Sequence, residues 1–157
     1  MKAVIVTVIS LALFTASSVF AEDEGPHDKA IKARQSLMQL YSFNLGILAG
    51  MAKGKIDYDA DAATAAADNL LAAVSMNQSA MWPAGSHSED AANRKNRALE
   101  AIWTTYPKIT EASKAMATAA TDMQAVAGNG LDAVKGAMAA AGKGCKGCHD
   151  DFRAEKK

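Results

Sequence analysis

The feature that most constrains this chain is CKGCH, Cys145 to His149, near the C-terminal end. Two thiols two residues apart, with a histidine directly after the second, form the attachment signature of a c-type haem. Each member has a chemical task. The two sulfurs can add across the two vinyl groups of one porphyrin as thioethers. The His149 imidazole follows at once and can reach the iron on the tethered face. Lys146 and Gly147 only set the spacing. No other cysteine occurs in the sequence. A disulfide between the pair is another fate in an oxidising compartment. A dithiol redox pair calls for a βαβ pattern, and none is visible. A zinc site wants four ligands, and the remaining histidines, His27 and His87, have no ligand spacing to the motif.

Residues 1–21 read as a secretory signal: Lys2 is the positive start, Val4 to Phe14 the apolar stretch, and Val19-Phe20-Ala21 the run before a cut. The acidic segment that follows, with Pro26, is expected to open the mature chain. Export agrees with the motif, because thioether attachment in bacteria takes place outside the cytoplasm. The expectation is a soluble periplasmic protein with no membrane insertion of the mature chain. Removing 21 of 157 residues leaves 136, residues 22–157, which suits a single domain. The chain has 17 basic and 17 acidic residues, and loss of Lys2 leaves a net charge of minus one. Such a balance supplies no basic field for nucleic acid.

The mature chain reads as all-α. Alanine is abundant, Val and Ile are scarce, and no run alternates with period two. Four helical regions are expected: 28–53 ending at Gly54, 60–76 behind Asp59 as N-cap, 94–127 broken at Pro107, and 131–155. On the first, Ile31, Arg34, Met38, Tyr41, Leu45, Leu48 and Ala52 form an inward stripe. A second stripe, Leu37, Leu40, Ile47 and Met51, faces either another helix of the bundle or a second subunit. Between Asn77 and Asn93 lies the longest connection, expected to cross over the bundle or over the cofactor edge, with Trp82 packed down as an anchor. On the last helix Leu131, Val134, Met138, Ala141, Cys145, Cys148 and Phe152 share a face, so the haem hangs from its inner side.

CKGCHDDFR at the end and IKARQSLM at the beginning, with four helices between, resemble the cytochrome c prime family, the class II c-type cytochromes. The resemblance covers essentially the whole mature chain. It implies an antiparallel up-down-up-down four-helix bundle with a covalent haem on the C-terminal helix, one haem c per chain. By the same resemblance Cys145 and Cys148 hold the porphyrin, His149 is the proximal iron ligand and Arg153 is the basic residue beside the proximal face. The position opposite His149 falls to Met38. Some members leave the iron five-coordinate and bind gases such as NO and CO. Others place a methionine sulfur on the iron and carry electrons. A soft thioether suits haem iron, and Met also fills core gaps.

The first expectation is accordingly an electron-transfer protein with Met38 as distal ligand, exchanging electrons with redox partner proteins. The alternative is a five-coordinate form that binds NO or CO at the distal face. No enzymatic activity is expected, since the first helix offers no distal histidine. Arg34 lies one turn before Met38, and a charge on that stripe needs a partner. A haem propionate, with Gln35 nearby, is the expected one; snorkelling to solvent is the other route. A homodimer through the second stripe is a further expectation. Protein exported from a host with haem-maturation machinery should carry the mass of one added tetrapyrrole, and neither thiol should alkylate. A chain without added mass, with two reactive thiols, would overturn the cofactor assignment.

Overall fold

The computed structural model describes residues 25–156. The expected signal segment, residues 1–21, lies outside the described residues. Five helices appear in order: α1 (Asp28–Ala52), α2 (Ala60–Ser75), the short α3 (Ala101–Thr104), α4 (Tyr106–Val126) and α5 (Leu131–Phe152). Among the described residues the only β-type pairing is an isolated antiparallel bridge between Ala98 and Arg153. The four long helices form a square. α1 packs on α2 and α5, and α4 packs on the same two. Two short reversals, 53–59 and 127–130, turn the chain at one end, and the long connection 76–105 turns it at the other.

The local chemistry explains the ends. α1 stops in a Schellman motif: the Gly54 N–H reaches Met51 O at 2.9 Å and the Lys55 N–H reaches Gly50 O at 2.9 Å. Gly54 carries φ +65, the left-handed conformation that this cap requires. α2 starts at Asp59, whose Oδ1 accepts the Ala62 N–H at 2.7 Å. Pro107 occupies the first turn of α4, where its missing donor costs nothing. Tyr106, just before the proline, is the first residue of α4.

α5 ends three residues earlier than the sequence predicts. Arg153 turns extended, at φ −126 and ψ 122. There the Leu99 N–H donates to Phe152 O at 3.0 Å and the Ala154 N–H donates to Arg97 O at 2.9 Å. The long connection therefore captures the chain end and competes with a further helical turn.

The core lies mainly at the end away from the cysteines. Leu48 and Met51 of α1, Ala63, Ala66 and Ala67 of α2, Met123, Ala127 and Val134 form its larger cluster. A smaller one, Leu70, Met116 and Ala120, lies toward the motif and carries Tyr41, Leu45, Leu71, Val74 and Cys145 against it. On α1 the buried seam runs between the two expected stripes: Ile31, Arg34, Leu37, Asn44, Leu48 and Met51. Met38, Tyr41 and Leu45 are half-buried, and Leu40 and Phe43 are 51% and 66% exposed. The expectation that one stripe faces wholly inward is thus corrected; α1 has two neighbours at right angles, so residues of both stripes are needed.

Two side chains hold the ends of the square. At the short-loop end, the Tyr58 hydroxyl donates to Ala127 O at 2.8 Å and accepts the Gly130 N–H at 3.0 Å. It joins both reversals. At the other end Arg34, 3% exposed, points into the connection. Its Nη1 donates to Ser86 Oγ at 2.6 Å and Met81 O at 3.3 Å. Its Nη2 donates to Ser86 O and, at 3.2 Å, to Asn96 Oδ1. The guanidinium also lies 4.8 Å from the Trp82 ring centroid and 5.9 Å from that of Trp103. Trp103 in turn donates its indole N–H to Trp82 O at 3.0 Å. Trp82 does anchor the connection, as its place in a polar loop predicts.

Two substitutions test this account by denaturant unfolding of the holoprotein. Tyr58→Phe leaves two backbone groups without a partner and should cost about 1–2 kcal/mol. Arg34→Leu strips donors from several buried acceptors and should cost at least about 2 kcal/mol. Arg34→Lys should recover only part of that loss, since an ammonium cannot reproduce the planar fork. Unchanged midpoints would show that these bonds do not hold the bundle ends.

Candidate haem site

The site is built on the last two turns of α5. Cys145 and Cys148 stand three residues apart, so both thiols project from one helical face, and His149 follows one position on. Both cysteines are free and half-buried. The Cys145 sulfur lies 3.9 Å from the Met116 sulfur of α4. Burial pushes both thiols up from their ordinary range; Arg153 opposes this at each, and the Cys145 charge adds to the rise at Cys148. The pair is therefore held as neutral thiols.

His149 is half-buried, and burial, then Arg153 and Arg97, push its pKa below the usual imidazole range, against Asp150. A neutral imidazole is the form that presents a lone pair to a metal. Arg153 Nη1 stands 3.4 Å from His149 Nε2, and Arg153 itself is exposed. Burial, helped by Arg153 from the chain end and Arg97 from the connection, thus favours the uncharged ring. Arg97 is fixed by its Nε–H to Ala154 O at 2.6 Å.

Gly144, which the sequence reading did not single out, lets α4 approach beside the first cysteine. A Cβ there would meet Met116 Cα at 3.1 Å and its sulfur at 3.2 Å. A glycine inside a helix costs roughly 1 kcal/mol against alanine. Three glycines in the six residues from Gly142 to Gly147 were the available signal. At Gly147, by contrast, an added Cβ meets nothing within 4 Å, so one flank of the motif is bare of side chains.

Opposite this helix stands α1. Met38 is half-buried and is part of neither packed cluster. Tyr41, one turn further along, is half-buried; burial pushes its phenol up, against the Gln78 hydrogen bond, which lowers it. Arg34 does not snorkel to solvent. Four of its five N–H groups go to Met81, Ser86 and Asn96 in the long connection. Gln35 donates its amide to Lys95 O at 3.0 Å and so tacks α1 to the same connection. The expected haem-facing pair on α1 is therefore first of all a pair of loop anchors.

The donor set fits one porphyrin: two adjacent neutral thiols, a neutral imidazole on the next residue, and a helix face of small residues beside them. A model of the cytochrome c' family matches residues 29–153. Cytochrome c-554 of Cereibacter sphaeroides is 38% identical over 132 residues, covering 84% of this chain and 98% of that one. Among solved structures, a cytochrome c' from Rhodobacter Spheriodes superposes with a TM-score of 0.78 at 31% identity, covering 82% of this chain and 97% of that one. Cytochrome c prime from Alcaligenes xylosoxidans, solved as one variant with bound NO and as another with carbon monoxide, matches at 25% identity and a TM-score of 0.68. Those matches cover 81% and 80% of this chain, and 94% of the other in each case. The chain belongs to the cytochrome c' family, four-helix bundles that carry one covalent haem c per chain.

Proposed function

We propose that this chain is a periplasmic haem protein that takes a diatomic gas, NO or CO, at the distal face of its haem. Cys145 and Cys148 hold the porphyrin, His149 is the proximal ligand, and Met38 stands over the distal face. The haem supplies the iron on which a gas binds. The protein's own part is to present one imidazole, exclude water and leave the opposite side open.

The observation that carries this reading is the packing of Met38. Its side chain is half-buried and is part of neither core cluster, so a flexible thioether can step aside without opening a cavity. The Alcaligenes xylosoxidans structures with NO and carbon monoxide support the same choice, since their overall fold matches this one. They favour the gas-binding alternative over the electron carrier that the sequence reading put first. Among the described residues no helix is long and apolar enough to cross a membrane, in keeping with an exported water-borne protein. The role proposed is binding rather than turnover. Leu40 and Phe43, exposed on α1, are the residues offered to a second copy, which sedimentation of the holoprotein tests.

The second reading, an electron carrier with the Met38 sulfur on the iron, rests on the place of Met38 between Arg34 and Tyr41 on the distal helix. Reduced carrier would pass electrons to redox partner proteins. The spectrum of ferric protein separates the two. Gas binding predicts a high-spin ferric haem and rapid CO uptake after reduction, with Met38→Ala changing neither greatly. A low-spin ferric spectrum with the methionine–iron charge-transfer band, lost in Met38→Ala, would establish the carrier instead.

A further inference from the structure

The distal side of this bundle contains one polar device that the attachment chemistry does not use. Tyr41 lies three residues after Met38, hence on the same side of α1 and one turn further in. Tyr41 packs against the cluster of Leu70, Met116 and Ala120, as Cys145 does. Tyr41 of α1 and Cys145 of α5 thus meet on one cluster, with the phenol hydroxyl reaching the end of α2. Its neighbours on that cluster, Leu45, Leu71 and Val74, are apolar.

The hydroxyl is wired on both sides. Gln78 Nε2 donates to it at 2.9 Å, and the hydroxyl donates to Ala73 O at 3.3 Å. The outgoing bond is at the long end for an O–H donor, hence weak. Ala73 O also receives the Met76 N–H at 3.4 Å. If the phenolic hydrogen turns away, the carbonyl keeps a donor and no buried acceptor is orphaned. The Gln78 bond is kept as well, because the oxygen goes on accepting while its hydrogen rotates. A donor that is itself hydrogen-bonded is polarised and donates better.

We infer that the Tyr41 hydroxyl, held and polarised by Gln78, is the hydrogen-bond donor that a diatomic ligand meets on the distal side of the haem. The inference rests on the gas-binding reading and names the group that sets its selectivity. A ligand that gathers negative charge on its outer atom gains a hydrogen bond that apolar walls cannot give. One that cannot accept leaves the donor on its weak backbone partner. In a closed site such a polar contact discriminates more sharply than shape alone.

Infrared spectra of the ferrous CO complex test this, because a donor to the bound oxygen lowers the C–O stretching frequency. Tyr41→Phe should raise that frequency and speed CO dissociation about 3- to 10-fold, the worth of one hydrogen bond. Gln78→Leu should shift both the same way by less, since the phenol remains. Each change is made in the natural chain and in Met38→Ala. Removing the thioether opens the iron to CO whether or not sulfur holds it, so Tyr41 is tested in either case. Failure of the gas-binding reading shows separately, as ferrous natural protein that takes up no CO. Unchanged frequency and rate in Tyr41→Phe, with full haem content, overturn the inference. Should Tyr41→Phe not load haem, an unshifted band in Gln78→Leu overturns it equally.

Discussion

A buried guanidinium held by neutral acceptors among the described residues governs one end of this molecule. Arg34 finds a hydroxyl, two backbone carbonyls and an amide oxygen in the connection, and two indole rings above its plane. Burial lowers its pKa, because desolvation disfavours the charged form. Neutral acceptors and ring faces offset that cost without bringing a second charge inside. The chain from Met76 to Thr105 has few helical residues of its own, so its shape depends on what it is tied to. Arg34, Gln35 and Asp28, the last accepting the Arg94 N–H at 3.0 Å, tie it to α1.

Much of the bundle is legible from local chemistry. Asp59, Gly54 and Pro107 each mark a helix end through a bond or a dihedral that the residue type itself supplies. The attachment motif is equally local, since its meaning lies in three side chains within five residues. Long-range facts were not legible. Nothing near Arg153 announces that α5 will stop there, because the competing donors and acceptors come from Arg97 and Leu99. The depth of Asn44 was likewise hidden. It is 4% exposed, its amide serves Leu40 O within the helix, and its Oδ1 has no protein partner. A helical stripe drawn for one neighbour misses it, since α1 faces two.

The site shows the same division. Cys145, Cys148 and His149 are positioned by helical spacing alone. The lowered pKa of His149 comes first from burial and then from Arg153, with a further contribution from Arg97, more than fifty residues earlier in the chain. The sulfur of Met116 beside Cys145 depends on Gly144, whose missing side chain admits it. Arg34 had been read from the cost of burying a charge, which correctly demanded partners and looked for them in a haem propionate. Folding supplied them from a loop 47 to 62 residues away in sequence.

The pairing of Ala98 with Arg153 has a mechanical consequence. The same connection that grips α1 through Arg34 also grips the tail of α5 through two backbone hydrogen bonds. The helix bearing Met38 and the helix bearing His149 are therefore joined by a strap as well as by direct packing. The separation of these two helices is therefore held partly by that strap. Lengthening the chain between Asn96, which Arg34 holds, and Arg97, which receives the Ala154 N–H, would loosen this tie and leave both helices' own sequences unaltered.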